Sequence, residues 1–351
     1  MRTGLRRGGQ LNNGMKLVDV ARALFIAFGG IQAQHAAQNP LVHDGGLEAL
    51  LGLHKGLIEH ASVTGSEHGV AQFLGGYLNA SGYTVEYQSV ENDRQNVLAY
   101  LGDARQSRIL MTSHIDTVPP FIPYERRGDE IWGRGSADAK GSVAAQIAAV
   151  QQLRRDGSIK PGDVDLLFVV GEEHGGAGMR AANELGLSWE SVVFGEPTEL
   201  KLARGHKGGL GFQLKAHGKA GHSGYPELGR NAIDLLVEGL AAIKQLRLPW
   251  SAEFGNTTLN VGQIEGGVAP NVIPQNASAV AALRVAVDDV DGIRTTIAEA
   301  VEKVSPWLEV EFSSYGIGPV RIDADIDGMP SILRVCRCLL VVSASQASRR
   351  S

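Results

Sequence analysis

The chain of 351 residues is 43% hydrophobic and 20% charged, which is typical of a globular protein with a large core, and its length favours about two domains. Its net charge of −5 offers no basic surface for a phosphate backbone, so the composition argues against a nucleic-acid partner. The two cysteines, Cys336 and Cys338, are too few and too close together for a disulfide scaffold or a zinc site.

The N-terminal segment has the pattern of a secretory signal peptide. From Met15, Lys16 supplies a positive start, "ALFIAF" forms an apolar centre, and Ala33 offers a small residue for cleavage. We therefore predict that residues 1–33 are an N-terminal extension with a signal peptide starting at Met15, and that the protein is secreted. The apolar stretch is too short for a membrane anchor. The alternative is an amphipathic N-terminal helix on a cytoplasmic protein. Three sequons agree with secretion and predict glycosylation at Asn79, Asn256 and Asn276.

Strand and helix patterns alternate along the first half of the chain. Helical spacing covers residues 46–60, 67–81 and 141–157, and apolar or alternating strand patterns cover 84–90, 96–102, 108–114, 163–173 and 191–198. This alternation predicts an α/β domain over residues 34–205 with a mainly parallel sheet and helices on both faces.

The pattern changes near residue 206. Residues 207–315 have the order β-α-β-β-α-β, which is the split βαβ, ferredoxin-like arrangement. We therefore predict an inserted domain over residues 206–317, with residues 318–351 forming a truncated or aberrant remainder of the first domain.

Polar residues follow several of the predicted strands of the first domain. In a parallel α/β sheet, ligands bind beyond the carboxyl ends of the strands, so these residues are expected to converge. Singly, each has a simpler explanation: a strand-end polar pair, a solvated face, a turn residue, or a helix N-cap in the case of Asp138. Together, one imidazole and several carboxylates suit zinc or another divalent transition metal better than magnesium. The converging residues are His114, Asp138, Glu172, Glu173 and Glu196.

The motifs that carry these residues resemble a known family. "SHIDTVP", "GRGSADAKG", "GEEHGG", "GEPT", "GKAGHSG" and "GGVAPNVIP" follow one another in the order typical of the co-catalytic zinc peptidase/deacylase family. That family includes acetylornithine deacetylase, succinyl-diaminopimelate desuccinylase, aminoacylase and glutamate carboxypeptidase. The resemblance covers roughly residues 45–327 and is strongest to the fungal secreted probable carboxypeptidases.

The resemblance implies a role for each site residue. Two zinc ions per subunit would be held by His114, Asp138, Glu173 and Glu196, with Asp138 bridging them. Asp116 would orient the imidazole of His114, and Glu172 would be the general base that acts on a metal-activated water.

The inserted domain resembles the family's lid and dimerisation domain. There His222 would stabilise the oxyanion, and Asn271 and Arg284 would contact the substrate; for Arg284, an ordinary strand-face ion pair remains the alternative. The implied protein is a homodimer that hydrolyses small peptides or N-acyl amino acids. A secreted zinc metallocarboxypeptidase is the first expectation, and a deacylase similar to acetylornithine deacetylase is the second.

The resemblance stops after Asp327. The family pattern continues with a late histidine that ligates the second zinc, whereas this sequence has no histidine after His222. We therefore expect the second zinc site to be incomplete, and an impaired, binding-only relative is the third expectation.

Overall fold

The computed structural model describes residues 46–198, 203 and 205–321, together with the backbone of two short strands, Gly14–Lys16 and Leu339–Val342. The predicted cleavage site and the two cysteines lie outside the described residues. The chain forms two compact units, one made of residues 1–204 and 322–351 and the other of residues 205–321.

The first unit alternates helices and strands as the sequence predicts. Its elements are α1 (Gly46–Glu59), α2 (His68–Ala80), β1 (Thr84–Glu91), β2 (Arg94–Tyr100), β3 (Ile109–His114), β4 (Glu125–Arg127), β5 (Glu130–Trp132), α3 (Lys140–Arg155), β6 (Val164–Val169), α4 (Ala177–Ala182) and β7 (Ser191–Gly195). A 3-10 turn at Asn183–Leu185 comes directly after α4. The small β4–β5 hairpin also pairs with Gly14–Lys16 and is not foreseen from the sequence.

The central sheet has six strands, in the order Leu339–Val342, β7, β3, β6, β2, β1. This confirms an α/β fold, but the expectation of a mainly parallel sheet needs correction. Among the described strands, only β3–β6 and β3–β7 pair in parallel, whereas the other three pairings are antiparallel. One physical reason lies in the turn between β1 and β2. Asn92 and Asp93 both have positive φ, as a two-residue hairpin turn requires, and a two-residue turn joins only antiparallel strands.

Helices cover both faces of this sheet, as predicted. On one face α1, α2 and α3 pack on the central strands through a core that includes Leu57, Leu74, Ile147 and Phe168. On the other face α4 and the segment that follows it cover a smaller cluster around Leu98 and the outer side of β6. Strand β6 is therefore buried along its whole length, and all of its residues except Asp165 are apolar.

The second unit is a four-stranded antiparallel sheet with two helices. Its strands are β8 (Gly208–His217), β9 (Thr258–Gly266), β10 (Asn276–Val285) and β11 (Leu308–Ile317), in the order β9-β10-β8-β11, and its helices are α5 (Ala232–Lys244) and α6 (Val290–Val304). Shorter strands lie at Gly205–His206, Gly221–His222, Trp250–Ser251, Gly255–Asn256, Val272–Ile273 and Val320–Arg321, and a 3-10 turn at Pro226–Leu228.

Local sequence signals explain the elements of this unit. Burial alternates along β8 and β10, so one face of the sheet meets the helices. Asn231 caps α5 by accepting from the N–H groups of Ile233 and Asp234, and Asp289 caps α6 through the N–H of Gly292.

Candidate metal centre and active site

The three central strands of the first unit end together. His114 is the last residue of β3 and lies opposite Val169, the last residue of the parallel strand β6. Strand β7, on the other side of β3, ends at Gly195. The polar residues that follow β6 and β7 are therefore delivered to the same edge of the sheet as His114.

Three of the predicted ligands meet at this edge. One ligand atom each from His114, Asp138 and Glu173 lies within 4.8 Å of the other two. The imidazole Nε2 of His114 is 3.0 Å from Oδ1 of Asp138 and 3.9 Å from Oε2 of Glu196. His114 is only 1% exposed, whereas the Asp138 side chain is 53% exposed and can reach solutes at the surface.

Asp138 does not cap the helix that follows it. The N-cap of α3 is Ala139, and no side chain accepts a hydrogen bond at that position. The backbone N–H of Lys140 instead donates to the carbonyl of Gly135. The side chain of Asp138 is thus left to face His114, which removes the simpler explanation of this residue.

Asp116 is buried beneath the cluster and receives several hydrogen bonds. Its Oδ1 lies 3.3 Å from Nδ1 of His114 and accepts from the backbone N–H of Glu172 at 3.0 Å. Its Oδ2 accepts from the hydroxyl of Thr64 at 2.7 Å and from the backbone N–H of Glu173 at 3.1 Å. One carboxylate therefore fixes both the imidazole of His114 and the backbone of the loop that carries the two glutamates.

The charges at this edge perturb one another strongly. Burial lowers the pKa of His114, but the hydrogen bonds to Asp116 and Asp138 and the charge of Glu196 raise it overall to about 11. Burial raises the pKa of Glu196 to about 7, where the charge of His114 opposes and the neighbouring carboxylates reinforce the shift. Burial, followed by the charge of Asp138, also raises the pKa of Glu173.

This donor set suits a divalent metal ion. Nδ1 of His114 faces Asp116, so Nε2 is left to ligate, and the carboxylates of Asp138, Glu173 and Glu196 lie on its side. A dication would offset the repulsion among these carboxylates, which otherwise favours the protonated forms of Glu173 and Glu196. Imidazole with carboxylate oxygens is a ligand set that zinc accepts, and an imidazole oriented by a carboxylate is common in zinc sites.

The predicted residues of the second unit lie on an exposed loop and strand. His222 pairs with Val272 across two short strands, and the backbone N–H of Ser223 donates to the carbonyl of Asn271 at 3.1 Å. Nδ1 of His222 accepts the N–H of Gly224 at 3.0 Å, so Nε2 carries the proton of the neutral ring and is available as a donor.

Arg284 and the sequon residues are exposed. Arg284 lies on β10 opposite Gly209 and Thr258, and within the described residues no carboxylate forms an ion pair with it. This disfavours the strand-face ion pair as its explanation. The three sequon residues, Asn79, Asn256 and Asn276, are all exposed, and their glycosylation stays a prediction.

Sequence reasoning missed the residues that support this edge from below. Thr64, whose hydroxyl binds Asp116, lies in the turn "TGSE" before α2, and Glu67 and Arg94 form a buried ion pair nearby. The only available signal was the pair of opposite charges at Glu67 and Arg94, 27 residues apart in the chain, and nothing in the sequence indicates that they meet.

Comparisons with known proteins relate the chain to peptidases. Residues 204–309 match the family model of the M20 peptidase dimerisation domain, and residues 96–188 match that of peptidase family M28. The chain is 46% identical to an M20 peptidase domain-containing protein of Schizosaccharomyces pombe over 81% of this chain and 71% of that protein. It is 41% identical to a protein of Aspergillus clavatus named a probable carboxypeptidase, over 86% and 81% of the two chains. An M20 metallo-carboxypeptidase from Sulfolobus solfataricus shares the fold, with a TM-score of 0.61 at 17% identity over 79% of this chain and 80% of that one.

None of the helices in the described part of the chain combines the length and apolar content needed to cross a lipid bilayer.

Proposed function

The chain belongs to the M20 family of metallopeptidases, which confirms the resemblance seen in the sequence, and from this premise we propose that it is a zinc-dependent carboxypeptidase. The observation that carries the proposal is the cluster of His114, Asp138 and Glu173, with Glu172 on the same loop. This arrangement suits metal-assisted hydrolysis of an amide bond. The preference for a carboxypeptidase is supported by the names of the fungal relatives, such as that of Aspergillus clavatus.

Zinc would be held by His114, Asp138, Glu173 and Glu196, where it would supply Lewis-acid chemistry that acidifies water and polarises the scissile carbonyl. The protein would position that chemistry. Asp116 holds the His114 ring in one orientation, so that Nε2 faces the carboxylates.

Glu172 is the group we assign to proton transfer. Its backbone is fixed by Asp116, but its side chain is exposed and free to turn toward a substrate. As general base it would take a proton from the attacking water and pass it to the leaving amine. Glu173, the next residue, points to the metal cluster, so one short loop would supply both a ligand and the base.

In the lid domain we assign His222 to the developing oxyanion. The proton on Nε2, which the Gly224 N–H favours by occupying Nδ1, makes the neutral ring a hydrogen-bond donor of the kind an oxyanion requires. Asn271 and Arg284 are assigned to the substrate, and the guanidinium suits a terminal carboxylate. These three roles rest on the family resemblance.

We further propose a secreted homodimer that associates through residues 206–317. The match to a dimerisation domain supports this assembly. So do exposed apolar side chains of the second unit, because Val237 of α5, Ile264 of the edge strand β9 and Val268 are each more than half exposed. Analytical ultracentrifugation of wild type and Ile264→Glu tests it: the wild type should sediment as a dimer and the variant as a monomer.

N-terminal sequencing of protein secreted by a eukaryotic host tests the cleavage after Ala33, and retention of the protein in the cytoplasm would contradict secretion.

A screen of dipeptides and N-acyl amino acids with measured zinc content tests the activity. Glu172→Gln should abolish hydrolysis while the zinc content stays unchanged, and Glu184→Gln, an exposed glutamate in the 3-10 turn, is the matched control. Preference for N-acyl amino acids would make the protein a deacylase. Zinc binding with no hydrolysis of either class would favour the binding-only relative, whose basis is that the described cluster contains a single imidazole.

A further inference from the structure

A buried ion pair lies outside the metal-binding set. Nε of Arg94 donates to Oε2 of Glu67 at 2.8 Å and Nη2 donates to Oε1 at 2.7 Å, so the pair is bidentate. Glu67 is 0% exposed and Arg94 is 8% exposed. Burying two charges carries a desolvation cost that an apolar pair avoids, so such a pair is weak evidence for stability alone and its contacts indicate what else it does.

On one side, the pair holds the turn that contacts Asp116. Oε2 of Glu67 also accepts the backbone N–H of Gly65 at 3.1 Å. The preceding residue, Thr64, donates its hydroxyl to Asp116 and its backbone N–H to the carbonyl of Thr117. Glu67 therefore fixes the position from which Thr64 reaches the carboxylate of Asp116, beneath the candidate metal ligands.

On the other side, the pair lies against the loop that carries the two glutamates. A Cβ placed on Gly171 would collide with Nη2 of Arg94, so the guanidinium packs directly on the backbone just before Glu172. Gly171 also has a φ of +72°, a backbone conformation that would be strained in a residue with a side chain. This close contact is available only because residue 171 is a glycine.

Asn96 holds the two ends of the same loop. It is two residues beyond Arg94 on β2, so the two side chains lie on the same side of the strand. Its Oδ1 accepts the N–H of Val170 at 3.1 Å, and its Nδ2 donates to the carbonyl of Gly178 at 2.8 Å. Neighbouring side chains of one strand thus fix both the start and the end of residues 170–178.

We propose that Arg94, paired with Glu67, is a positioning residue for the loop of residues 170–178. It holds this loop and the turn around Gly65 at the separation that lets Asp116 accept from Thr64 and from both glutamate N–H groups. Its effect on hydrolysis rests on the proposed function of Glu172, whereas its effect on the loop does not. The competing explanation is that the pair stabilises the first unit without any specific effect on the loop.

The test compares wild type with Arg94→Lys, which keeps the positive charge but loses the fork and the contact with Gly171. The matched control is Arg108→Lys, because Arg108 also pairs with a glutamate, Glu190, but both side chains are more than 60% exposed and precede β3 and β7. Hydrogen–deuterium exchange of the peptide covering residues 170–178 is measured beside global unfolding by urea and the kinetics of hydrolysis.

In Arg94→Lys we expect exchange in residues 170–178 to rise by about 10-fold or more relative to the β6 peptide, because local opening then costs less than global unfolding. The value of kcat should fall by roughly 10- to 100-fold with KM changed by less than about twofold, as expected when a catalytic group is displaced rather than removed. Arg108→Lys should leave loop exchange and kcat unchanged. A lower global stability with exchange in the loop and β6 raised equally would overturn the proposal.

Two other outcomes, a variant that does not fold and a wild type without activity, also have a defined meaning. If Arg94→Lys does not fold, Glu67→Gln, which keeps the size of the partner side chain but removes its charge, gives the same comparison. Exchange raised in residues 170–178 relative to β6 supports the proposal, and exchange raised equally in both overturns it. If wild type hydrolyses no substrate but its loop loses protection in Arg94→Lys, the proposed function fails while the positioning role stands.

Discussion

Asp116→Asn probes the most connected side chain of the candidate site. The substitution keeps the size of the side chain but replaces one carboxylate oxygen with an NH₂ group. Because each oxygen faces two donors, the new NH₂ group must point at groups that also donate. If it takes the position of Oδ2, the hydroxyl of Thr64 can turn and accept, but the N–H of Glu173 cannot.

The loss of stability in Asp116→Asn can be worked out from these contacts. One buried N–H left without an acceptor costs about 1–3 kcal/mol, and the contacts that remain lose the charge that makes them roughly twice as strong as neutral ones. Asp116 is 0% exposed, so no solvent screens the loss. We expect the free energy of unfolding to fall by about 3–4 kcal/mol in urea titrations, and kcat to fall by roughly 100-fold as the loop with Glu172 shifts. Asp103→Asn, at an exposed position, is the control and should change neither. If the free energy of unfolding of Asp116→Asn lies within about 0.5 kcal/mol of the wild-type value and kcat is unchanged, the role given to Asp116 is refuted.

Other predictions concern different parts of the chain. Burial lowers the pKa of His54 to about 4, where the hydrogen bond to the carbonyl of Ser136 opposes the shift and the charge of Lys140 adds to it. The neutral form of His54 therefore stabilises the fold above pH 6.5, and that contribution, about 3 kcal/mol, is lost as the pH falls from 6.5 toward 4. His54→Gln should flatten this part of the urea stability profile, and an unchanged slope would contradict the role given to His54. Phe212→Ala, in the core of the second unit, should lower the free energy of unfolding of that unit by about 3–5 kcal/mol and leave the zinc content unchanged, because Phe212 is only 3% exposed. The control is Tyr315→Ala, which should lower the free energy of unfolding by less than about 1 kcal/mol because Tyr315 is 54% exposed. Titration of metal-free protein with zinc, followed by mass spectrometry under native conditions, should show a first ion held more tightly than a second, because the described cluster offers a single imidazole; two equally tight ions would oppose this.

The family could be predicted from the sequence, because its short motifs follow one another in the family's order and most of the candidate ligands come after an apolar strand. Strand directions could not be. The repeating apolar pattern of β1 and β2 is the same for parallel and antiparallel pairing, and only the positive φ of Asn92 and Asp93 commits the chain to a hairpin. The residue pair "ND" was the one local signal for that turn.

The supporting residues of the site depended entirely on the fold. Glu67 and Arg94 are ordinary charges in the sequence, and their isolation from water and contact with Gly171 arise only when α2, β2 and the loop after β6 pack together. Asp116 shows the same division. Its spacing from His114 indicates that the two share a face of an extended segment, but its bonds to Thr64 and to the N–H groups of Glu172 and Glu173 join segments more than 50 residues apart.

The sequence by itself therefore determined the kinds of candidate ligand and the places of most of them at strand ends, since apolar periodicity and short motifs are local properties of the chain. Tertiary structure decided which of those ligands meet, how far apart they lie and which buried groups hold them. Distances between segments depend on strand order, burial and backbone hydrogen bonds, and none of these is encoded in any single stretch of residues.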